Sequence, residues 1–338
     1  MNKLKIFVDV PVHQPSLERL QKLPGIEFHL AEGLEEERER PPALIRDKHA
    51  LFCTYAPKNF HEMKAAKWIQ ITSAGYSQLF HLDLPEKGVH ATNGLGVFDI
   101  PIAEWNIAMM INLARDLRGM IRNQDQGIWD RGARFQHEIR GSVVGLWGYG
   151  GIGRETARLA KAMGLTVHVL ARSGVKQRAN IYCVPGTGDP AGTLPDRVFS
   201  MEQKEEFLRG LDFLILAMPQ TNATVGIVGE AELRALPPRA YVLNPARGPL
   251  IQEQALLRAL REGWIAGAAL DTHYHYPMPA DHPLWKIPNV IMTPHISGSA
   301  ESPFFLERIW DIFLQNLERL RAGKPLLNEL TAAQLRGE

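Results

Sequence analysis

The stretch that decides the fold is Val143-Val144-Gly145-Leu146-Trp147-Gly148-Tyr149-Gly150-Gly151-Ile152-Gly153. An apolar, β-rich segment runs directly into the pattern Gly-x-Gly-x-x-Gly. In that pattern the first glycine permits a tight turn, the second lets the backbone approach a phosphate, and the third lets the next helix pack on the strand. Unpaired N–H groups at the helix N-terminus attract anions. The stretch therefore predicts a nucleotide pyrophosphate site around Gly148, Gly150 and Gly153.

The residues that follow complete a strand–helix–strand unit. Ile152 to Met163 has a helical pattern, Gly164 ends the helix, and Leu165 to Leu170 predicts a second strand. The unit spans about 30 residues, as nucleotide-binding units of this kind do. Three glycines at this spacing could form an ordinary turn on their own. The strand before them and the helix and strand after them make the prediction of a nucleotide site specific.

The residues after the second predicted strand bear on which nucleotide binds. NAD sites place an acidic residue there, which accepts hydrogen bonds from the ribose hydroxyls. This chain has Ala171, Arg172 and Ser173 instead. A carboxylate would repel a 2′-phosphate, whereas arginine pairs with it and serine donates to it. The sequence favours NADP(H) and leaves NAD(H) possible; the alternative is that Arg172 is an ordinary surface residue.

Composition argues against several classes of protein. The 338 residues exceed one ordinary core, which predicts two domains. The chain has 38 basic and 37 acidic residues and a net charge of +1, so nothing indicates nucleic acid or a membrane as a partner. The apolar run in Met1–Val10 is too short for a signal peptide, and a cytoplasmic location is expected. Cys53 and Cys183 are the only cysteines and indicate neither a disulfide nor a zinc site.

The patterning predicts an α/β protein with two domains. Residues 1–99 and 300–338 are assigned to one domain, and residues 100–299 to the nucleotide-binding domain. A long helix is predicted from Pro101 to about Arg122, and Gly174–Pro195 is predicted to be a loop. The mixed-charge run Glu35–Arg40 is interpreted as a solvated loop or helix face. Further strands are predicted at Ile6–Val10, Ala50–Tyr55, Trp68–Thr72, Leu211–Met218, Tyr241–Asn244, Ala266–Leu270 and Val290–Met292, and further helices at Ser16–Leu23 and from Ser302–Pro303.

Several short motifs follow one another along the chain in a characteristic order. They are Ser73-Ala74-Gly75-Tyr76, Ala91-Thr92-Asn93, Ala103-Glu104, the glycine-rich turn, Asn244-Pro245-Ala246-Arg247-Gly248, Gly267-Ala268-Ala269-Leu270-Asp271 and Thr293-Pro294-His295-Ile296-Ser297-Gly298. With these motifs almost the whole chain resembles the D-isomer-specific 2-hydroxyacid dehydrogenase family, which includes glyoxylate/hydroxypyruvate reductases. The resemblance implies two Rossmann-like domains, the cofactor domain being inserted into a flavodoxin-like substrate domain. It also implies a homodimer formed through the cofactor domain.

The resemblance implies hydride transfer between the nicotinamide and a 2-oxo or 2-hydroxy acid. Such a reaction needs a cation that binds the carboxylate and polarises the carbonyl, and an acid that protonates the oxygen. Arg247 and His295 match those family positions. The loop of Ala74, Gly75 and Tyr76 is implied to bind the substrate carboxylate through backbone N–H groups. Further cofactor contacts are implied for Gly151, Ile152, Arg154, Pro219, Ala246, Asp271, His295 and Gly298.

One position departs from the family pattern. The family places a glutamate five residues beyond the aspartate of Leu-Asp, where it pairs with the catalytic histidine; here that residue is Tyr276. The role of Tyr276 is open, and a carboxylate from elsewhere is the alternative partner of His295. Without one, the pKa of His295 is expected near or below its usual value. His273 and His275 lack a third ligand at suitable spacing, so no metal site is predicted.

Three functions compete at this point. The first, which we favour, is an NADPH-dependent 2-oxo acid reductase. The second is a hydride-transfer enzyme acting on an atypical substrate, which the absent glutamate leaves open. The third is a nucleotide-sensing protein similar to the corepressors that share this fold, but a sensor needs neither Arg247 nor His295.

Overall fold

The computed structural model describes residues 3–33, 36–132 and 136–337. Met1, Asn2 and Glu35, on which two of the predictions partly rest, lie outside these residues. The chain forms two compact units: unit 1 comprises Met1–Phe98, Ala179–Val184 and Ala300–Glu338, and unit 2 comprises Asp99–Arg178 and Pro185–Ser299. The segment Ala179–Val184, predicted within the nucleotide-binding domain, instead packs with unit 1.

The strands and helices have the following bounds. The strands are β1 (Leu4–Asp9), β2 (Ile26–Leu30), β3 (Ala50–Cys53), β4 (Trp68–Ile71), β5 (His90–Thr92), β6 (Val143–Trp147), β7 (Thr166–Leu170), β8 (Arg197–Phe199), β9 (Phe213–Leu216), β10 (Tyr241–Asn244), β11 (Gly267–Leu270) and β12 (Val290–Met292). The α-helices are α1 (Gln14–Gln21), α2 (Pro42–Ile45), α3 (Asp99–Ala114), α4 (Leu117–Asp125), α5 (Gly151–Ala162), α6 (Lys204–Arg209), α7 (Glu230–Ala235), α8 (Glu253–Glu262), α9 (Pro303–Arg321) and α10 (Ala332–Leu335). Among these described helices, none is long and apolar enough to cross a membrane.

Unit 1 contains a five-stranded parallel sheet in the order β2-β1-β3-β4-β5, which is the flavodoxin-like order. The helix α9 covers one face, where the ring of Phe313 stacks on Phe52 with centroids 4.4 Å apart. The predicted strands at Ile6, Ala50 and Trp68 are present. The patterning did not indicate β2 and β5, because β2 is only partly buried and β5 has three residues.

Unit 2 contains a seven-stranded parallel sheet in the order β12-β11-β10-β9-β6-β7-β8, which is the Rossmann order with one more strand. The strand order reverses between β6 and β9, and nucleotides bind at the carboxyl ends of strands at such a point. The central strands β9, β10 and β11 are almost wholly buried, which explains their uninterrupted apolar sequences.

The long helix predicted from Pro101 to Arg122 is wrong in one respect, because the structure has two helices there. α3 ends at Ala114, and Asp116 adopts a left-handed backbone conformation with φ 44°. The Asp116 carboxylate then caps α4 by accepting from the N–H of Gly119 at 3.2 Å. Apolar residues continue at helical spacing on both sides of the break, so periodicity could not reveal it.

Two predicted loops have more structure than expected. Residues 174–195 contain neither helix nor strand, in agreement with the prediction, yet Tyr182 is buried in the core of unit 1. The described part of the mixed-charge run also lacks regular structure, but Arg38 and Arg40 are mostly buried and both donate to the buried carboxylate of Asp9. That part of the run is therefore a docked loop rather than a solvated one.

Candidate active site

The glycine-rich turn joins β6 to α5 as the sequence predicts. Gly148 has φ +101°, and a Cβ there would lie 2.5 Å from the carbonyl oxygen of Ala217. A Cβ on Gly153 would lie 2.7 Å from the oxygen of Gly148, so helix and turn can pack only with glycine at both positions. Nothing lies within 4 Å of a Cβ built on Gly150, the residue that caps α5. The turn therefore leaves an open approach to the helix N-terminus, which suits a pyrophosphate.

Buried side chains hold the 174–195 loop against this turn. The hydroxyl of Tyr149 donates to Asp189 at 2.7 Å, and Asp189 also accepts from three backbone N–H groups in residues 192–194. Burial alone would raise the pKa of Asp189, but these four donors outweigh it and the pKa lies below its usual range. Burial, with the bond to Asp189, raises the pKa of Tyr149. The turn and residues 189–194 are thus held together within unit 2.

Arg154 belongs to this support. Its guanidinium is buried and donates to the carbonyl oxygens of Tyr149 at 3.2 Å, Lys176 at 2.5 Å and Asp189. These bonds direct the side chain into the protein, where it holds the loop, and the cofactor contact that the sequence suggested for Arg154 stays a prediction. Arg172 and Ser173, by contrast, are exposed just beyond β7, and Arg172 forms no side-chain hydrogen bond or ion pair with the described residues.

The loop after β10 presents Arg247. The side chain of Asn244 accepts from the N–H groups of Ala246 (3.1 Å) and Arg247 (3.3 Å) and donates to the Arg247 carbonyl (2.8 Å). Gly248 follows, where a Cβ would overlap the backbone carbonyl of His273. The guanidinium of Arg247 is exposed, and its one hydrogen bond among the described residues is to the carbonyl of Ala246 at 2.6 Å. It is therefore available to an anionic ligand.

The carboxylate of Asp271 organises the loop that carries His295. Asp271 is completely buried after β11. One of its oxygens accepts from the Thr293 hydroxyl (2.6 Å) and the Ile296 N–H (2.9 Å), and the other accepts from the N–H (3.0 Å) and hydroxyl of Ser297. A carboxylate has about four acceptor positions. The four contacts occupy these positions, so Asp271 anchors this loop, and its predicted contact with the cofactor stays a prediction.

His295 lies at the centre of the loop in a left-handed conformation, φ 59°. Its N–H donates to the carbonyls of Asp271 (2.8 Å) and Thr293 (3.0 Å), and its Nδ1 lies 3.1 Å from the hydroxyl of Tyr276. Partial burial lowers the pKa of His295, the positive charge of Arg247 and the nearby His273 lower it further, and the negative charge of Asp271 only partly opposes them. This direction agrees with the sequence-based expectation.

Unit 1 holds the predicted substrate loop after β4. The Ser73 hydroxyl donates to the carbonyl of Gly75 at 2.7 Å, and the Asn93 amide donates to the carbonyl of Ala74 at 2.7 Å. These bonds occupy the carbonyl groups. The N–H groups of Gly75 and Tyr76 have no acceptor among the described residues, and nothing lies within 4 Å of a Cβ on Gly75. Two neighbouring donors are thus free for a carboxylate.

The other predicted positions also follow strands of unit 2. Pro219 lies beyond β9, Ala246 beyond β10, and Gly298 follows Ser297 in the His295 loop. Because neighbouring parallel strands end at one edge of the sheet, the loops after β6, β9, β10, β11 and β12 share that edge. Sequence reasoning missed Thr293, Ser297 and His273. The first two belong to the motif Thr293-Pro294-His295-Ile296-Ser297-Gly298, and that motif was the signal that could have pointed to them.

The comparisons with known proteins agree with this arrangement. The sequence pattern of the family described as "D-isomer specific 2-hydroxyacid dehydrogenase, NAD binding domain" matches residues 107–297, more than half of the chain. A glyoxylate reductase of Thermofilum pendens is 30% identical over 307 residues, covering 88% of this chain and 86% of the relative.

Solved structures show the same likeness. A D-isomer specific 2-hydroxyacid dehydrogenase family protein of Aeromonas salmonicida superimposes with TM-score 0.76 at 26% identity, covering 98% of this chain and 99% of its own. A D-isomer specific 2-hydroxyacid dehydrogenase of Xanthobacter autotrophicus, in complex with NADPH and MES, gives TM-score 0.75 at 26% identity over 99% of this chain and 100% of its own.

The chain belongs to the D-isomer specific 2-hydroxyacid dehydrogenase family. It is an NAD(P)-dependent oxidoreductase that acts on CH–OH groups, with hydride transfer on a 2-oxo acid as its chemistry. The predicted family and fold class are confirmed. The sensor alternative is not carried further.

Asp271→Asn tests whether this carboxylate anchors the His295 loop. An amide has one acceptor oxygen and places an N–H₂ group against donors, so we expect the free energy of unfolding to fall by about 2–3 kcal/mol. Urea-induced unfolding monitored by tryptophan fluorescence measures it. Asp281→Asn, which removes the same charge from an exposed residue of unit 2, is the control and should be neutral. Equal stability of the two variants would contradict the anchoring role.

Proposed function

We propose that the protein is an NADPH-dependent reductase of a 2-oxo acid in which His295 is the general acid/base. In this proposal Arg247 binds the substrate carboxylate and polarises the carbonyl, and the N–H groups of Gly75 and Tyr76 bind the carboxylate as well. The observation that carries the proposal is the placement of a free guanidinium and an imidazole on the loops after β10 and β12, close enough for the charge of Arg247 to lower the pKa of His295.

The proposed mechanism follows from the chemistry of these side chains. When bound, the reduced nicotinamide supplies the hydride. The planar guanidinium of Arg247 suits a carboxylate and stabilises negative charge as it develops on the carbonyl oxygen. His295 then donates a proton to that oxygen, which leaves a 2-hydroxy acid. In the opposite direction, the neutral imidazole accepts the hydroxyl proton.

The first test removes the two proposed groups separately. His295→Ala should lower kcat for reduction at least about 100-fold, because general acid catalysis contributes that much. Arg247→Ala should raise the substrate KM as well as lower kcat. Initial rates with a panel of 2-oxo acids measure both kcat and KM. The panel begins with glyoxylate, because the relative from Thermofilum pendens is a glyoxylate reductase. Both variants should still bind the cofactor. The control is His275→Ala, which removes an exposed histidine of the same unit and should leave kcat and KM unchanged. A parent protein that reduces nothing on the panel would refute the function.

The preference for NADPH is proposed from the end of β7. Arg172 and Ser173 are exposed there, the guanidinium has no partner among the described residues, and no acidic residue occupies the position that would bind ribose hydroxyls. A free guanidinium and a hydroxyl suit a 2′-phosphate. The complex of the Xanthobacter relative with NADPH is consistent with the proposal, although a structure of the same fold is in complex with NAD, so the fold itself does not select the cofactor.

Arg172→Ala tests the cofactor preference. We expect the parent protein to bind NADPH about tenfold more tightly than NADH, as one partly exposed charge-assisted pair provides. The variant should lose most of this difference while its NADH affinity stays nearly constant. Fluorescence titration gives both dissociation constants. Arg209→Ala, which removes an exposed arginine of α6, is the control. Equal affinities for the two cofactors in the parent protein would end this proposal.

A homodimer is proposed from the surface of α4. No residue of this helix is buried, and apolar side chains of the helix and the residues after it form what we call the α4 patch: Leu117, Ile121, Ile128 and Trp129. Trp129 is 89% exposed. Arg118 nevertheless fixes the helix by donating to the carbonyls of Ile287 at 2.8 Å and Trp285 at 2.9 Å. A rigid helix with an uncovered apolar face suits a second copy, since a two-fold contact pairs one patch with itself.

Trp129→Asp tests the homodimer. A charge at the most exposed residue of the α4 patch should oppose its burial, so we expect dimers to become monomers at micromolar concentration. Light scattering coupled to size-exclusion chromatography measures the mass. Val225→Asp, an equally drastic change at an exposed residue elsewhere in unit 2, should leave the mass unchanged. A Trp129→Asp variant that remains dimeric would show that the α4 patch is not the dimer interface.

A further inference from the structure

The hydroxyl of Tyr276 sits between two nitrogen atoms. The backbone N–H of His273 donates to it at 3.2 Å, and Nδ1 of His295 lies 3.1 Å away. The first contact has a fixed direction, because a backbone N–H can only donate. It uses one lone pair of the hydroxyl and leaves the hydroxyl hydrogen free to point at His295.

His273 is itself held in place. Its Nε2 lies 2.7 Å from the carbonyl oxygen of Thr293, which can only accept, so Nε2 carries a hydrogen. His273 is buried, so the N–H that contacts Tyr276 has a fixed position. Tyr276, in contrast, is 60% exposed. Its hydroxyl is therefore located by the anchored backbone of His273, while its ring lies against the rings of His273 and His295 with centroids 6.3 Å and 5.6 Å apart.

This geometry determines what Nδ1 of His295 can do. When the imidazole is neutral, the hydroxyl can donate to Nδ1, and in that arrangement the imidazole hydrogen is on Nε2. When the imidazole is protonated, Nδ1–H donates to the same oxygen, which still has a lone pair. A carboxylate at this position could only accept, so it would hold the hydrogen on Nδ1 in both states.

We propose that Tyr276 is a positioning residue that orients His295 in both protonation states and places the hydrogen of the neutral imidazole on Nε2, the nitrogen available to substrate. This inference rests on the proposed role of His295 as the general acid/base. Tyr276 thus replaces the orienting effect of the family glutamate without its negative charge. In reduction, imidazolium Nε2–H gives its proton to the carbonyl oxygen as the hydride reaches the carbon. Nδ1–H remains bonded to Tyr276, and a proton from solvent restores the imidazolium.

The charges facing His295 set the direction of the pH dependence. Arg247, on the loop after β10, and His273 lower the pKa of His295, as does partial burial, whereas Asp271 raises it. Tyr276 adds no negative charge. Because the acid form is needed for reduction and the pKa lies below its usual value, kcat/KM for reduction should fall as pH rises, beginning below about pH 6.5.

Nitrogen NMR reads the proposed hydrogen directly. The full chain is labelled with ¹⁵N-histidine and examined well above the titration of His295, whose signals are assigned by their loss in His295→Asn. We expect a protonated Nε2 and an unprotonated Nδ1 in the parent protein, and a mixture of the two forms in Tyr276→Phe. A hydrogen on Nδ1 in the parent protein overturns the proposal, even if the variant does not fold.

Kinetics provide the second measurement. Tyr276→Phe removes one hydrogen bond, so kcat for reduction should fall roughly three- to tenfold while the cofactor dissociation constant is unchanged. Tyr241→Phe is the matched control, because it deletes a hydroxyl at the amino end of β10, away from the site. A Tyr276→Phe variant with parental kinetics overturns the proposal. If His295→Ala still loses activity in that case, the proposed function remains and only the role of Tyr276 is refuted.

Tyr276→Glu restores a charge at the same place. A carboxylate beside Nδ1 stabilises the imidazolium, so the falling limb of the kcat/KM profile should move up by about one pH unit. The NMR signals should change to a hydrogen on Nδ1. If Tyr276 had only a structural role, the substitution would change neither the pH profile nor the position of the hydrogen. An unmoved limb together with unchanged nitrogen shifts would show that position 276 does not act on His295.

Discussion

The site in unit 2 depends on the buried carboxylate of Asp271. A charged group without access to water is stable only when donors surround it, and here four donors from Thr293, Ile296 and Ser297 do so. These donors lie in the loop that carries His295. The cost of burying the charge is thus offset only when the loop adopts one conformation, which is why His295 can be held at a positive φ.

The sheet brings the separate loops of this site together. Parallel strands end at a common edge, so side chains far apart in sequence meet there without any long-range sequence signal. The glycine-rich turn follows β6, and Arg247, Asp271 and His295 follow β10, β11 and β12. Each loop then has its own local restraint: Asn244 for Arg247, and Asp271 for His295. Rigid strands set the position of each loop, and local polar contacts set the direction of each side chain.

The sequence was informative where a local pattern had one physical solution. The turn at Gly148 and Gly153 needs glycine for steric reasons, so the glycine pattern together with the strand and helix around it located the turn. It was uninformative where the outcome depended on partners. Nothing local shows that Arg154 would be used up by carbonyl groups, or that Asp116 would end one helix and cap another. The burial of Tyr182 in unit 1 was invisible for the same reason, because its partner Asn328 is remote in sequence.

The proposed role of Tyr276 has a consequence for how a site of this kind could vary without a change of fold. Tyr276 is mostly exposed, its ring lies against the rings of His273 and His295, and the bond between His273 and Thr293 holds the loop around it. A different residue at this position would change which atoms face Nδ1 of His295. A phenol hydroxyl can donate or accept, whereas a carboxylate only accepts and adds a charge. Under the proposal, the two residues would therefore give His295 different proton affinities and different neutral tautomers.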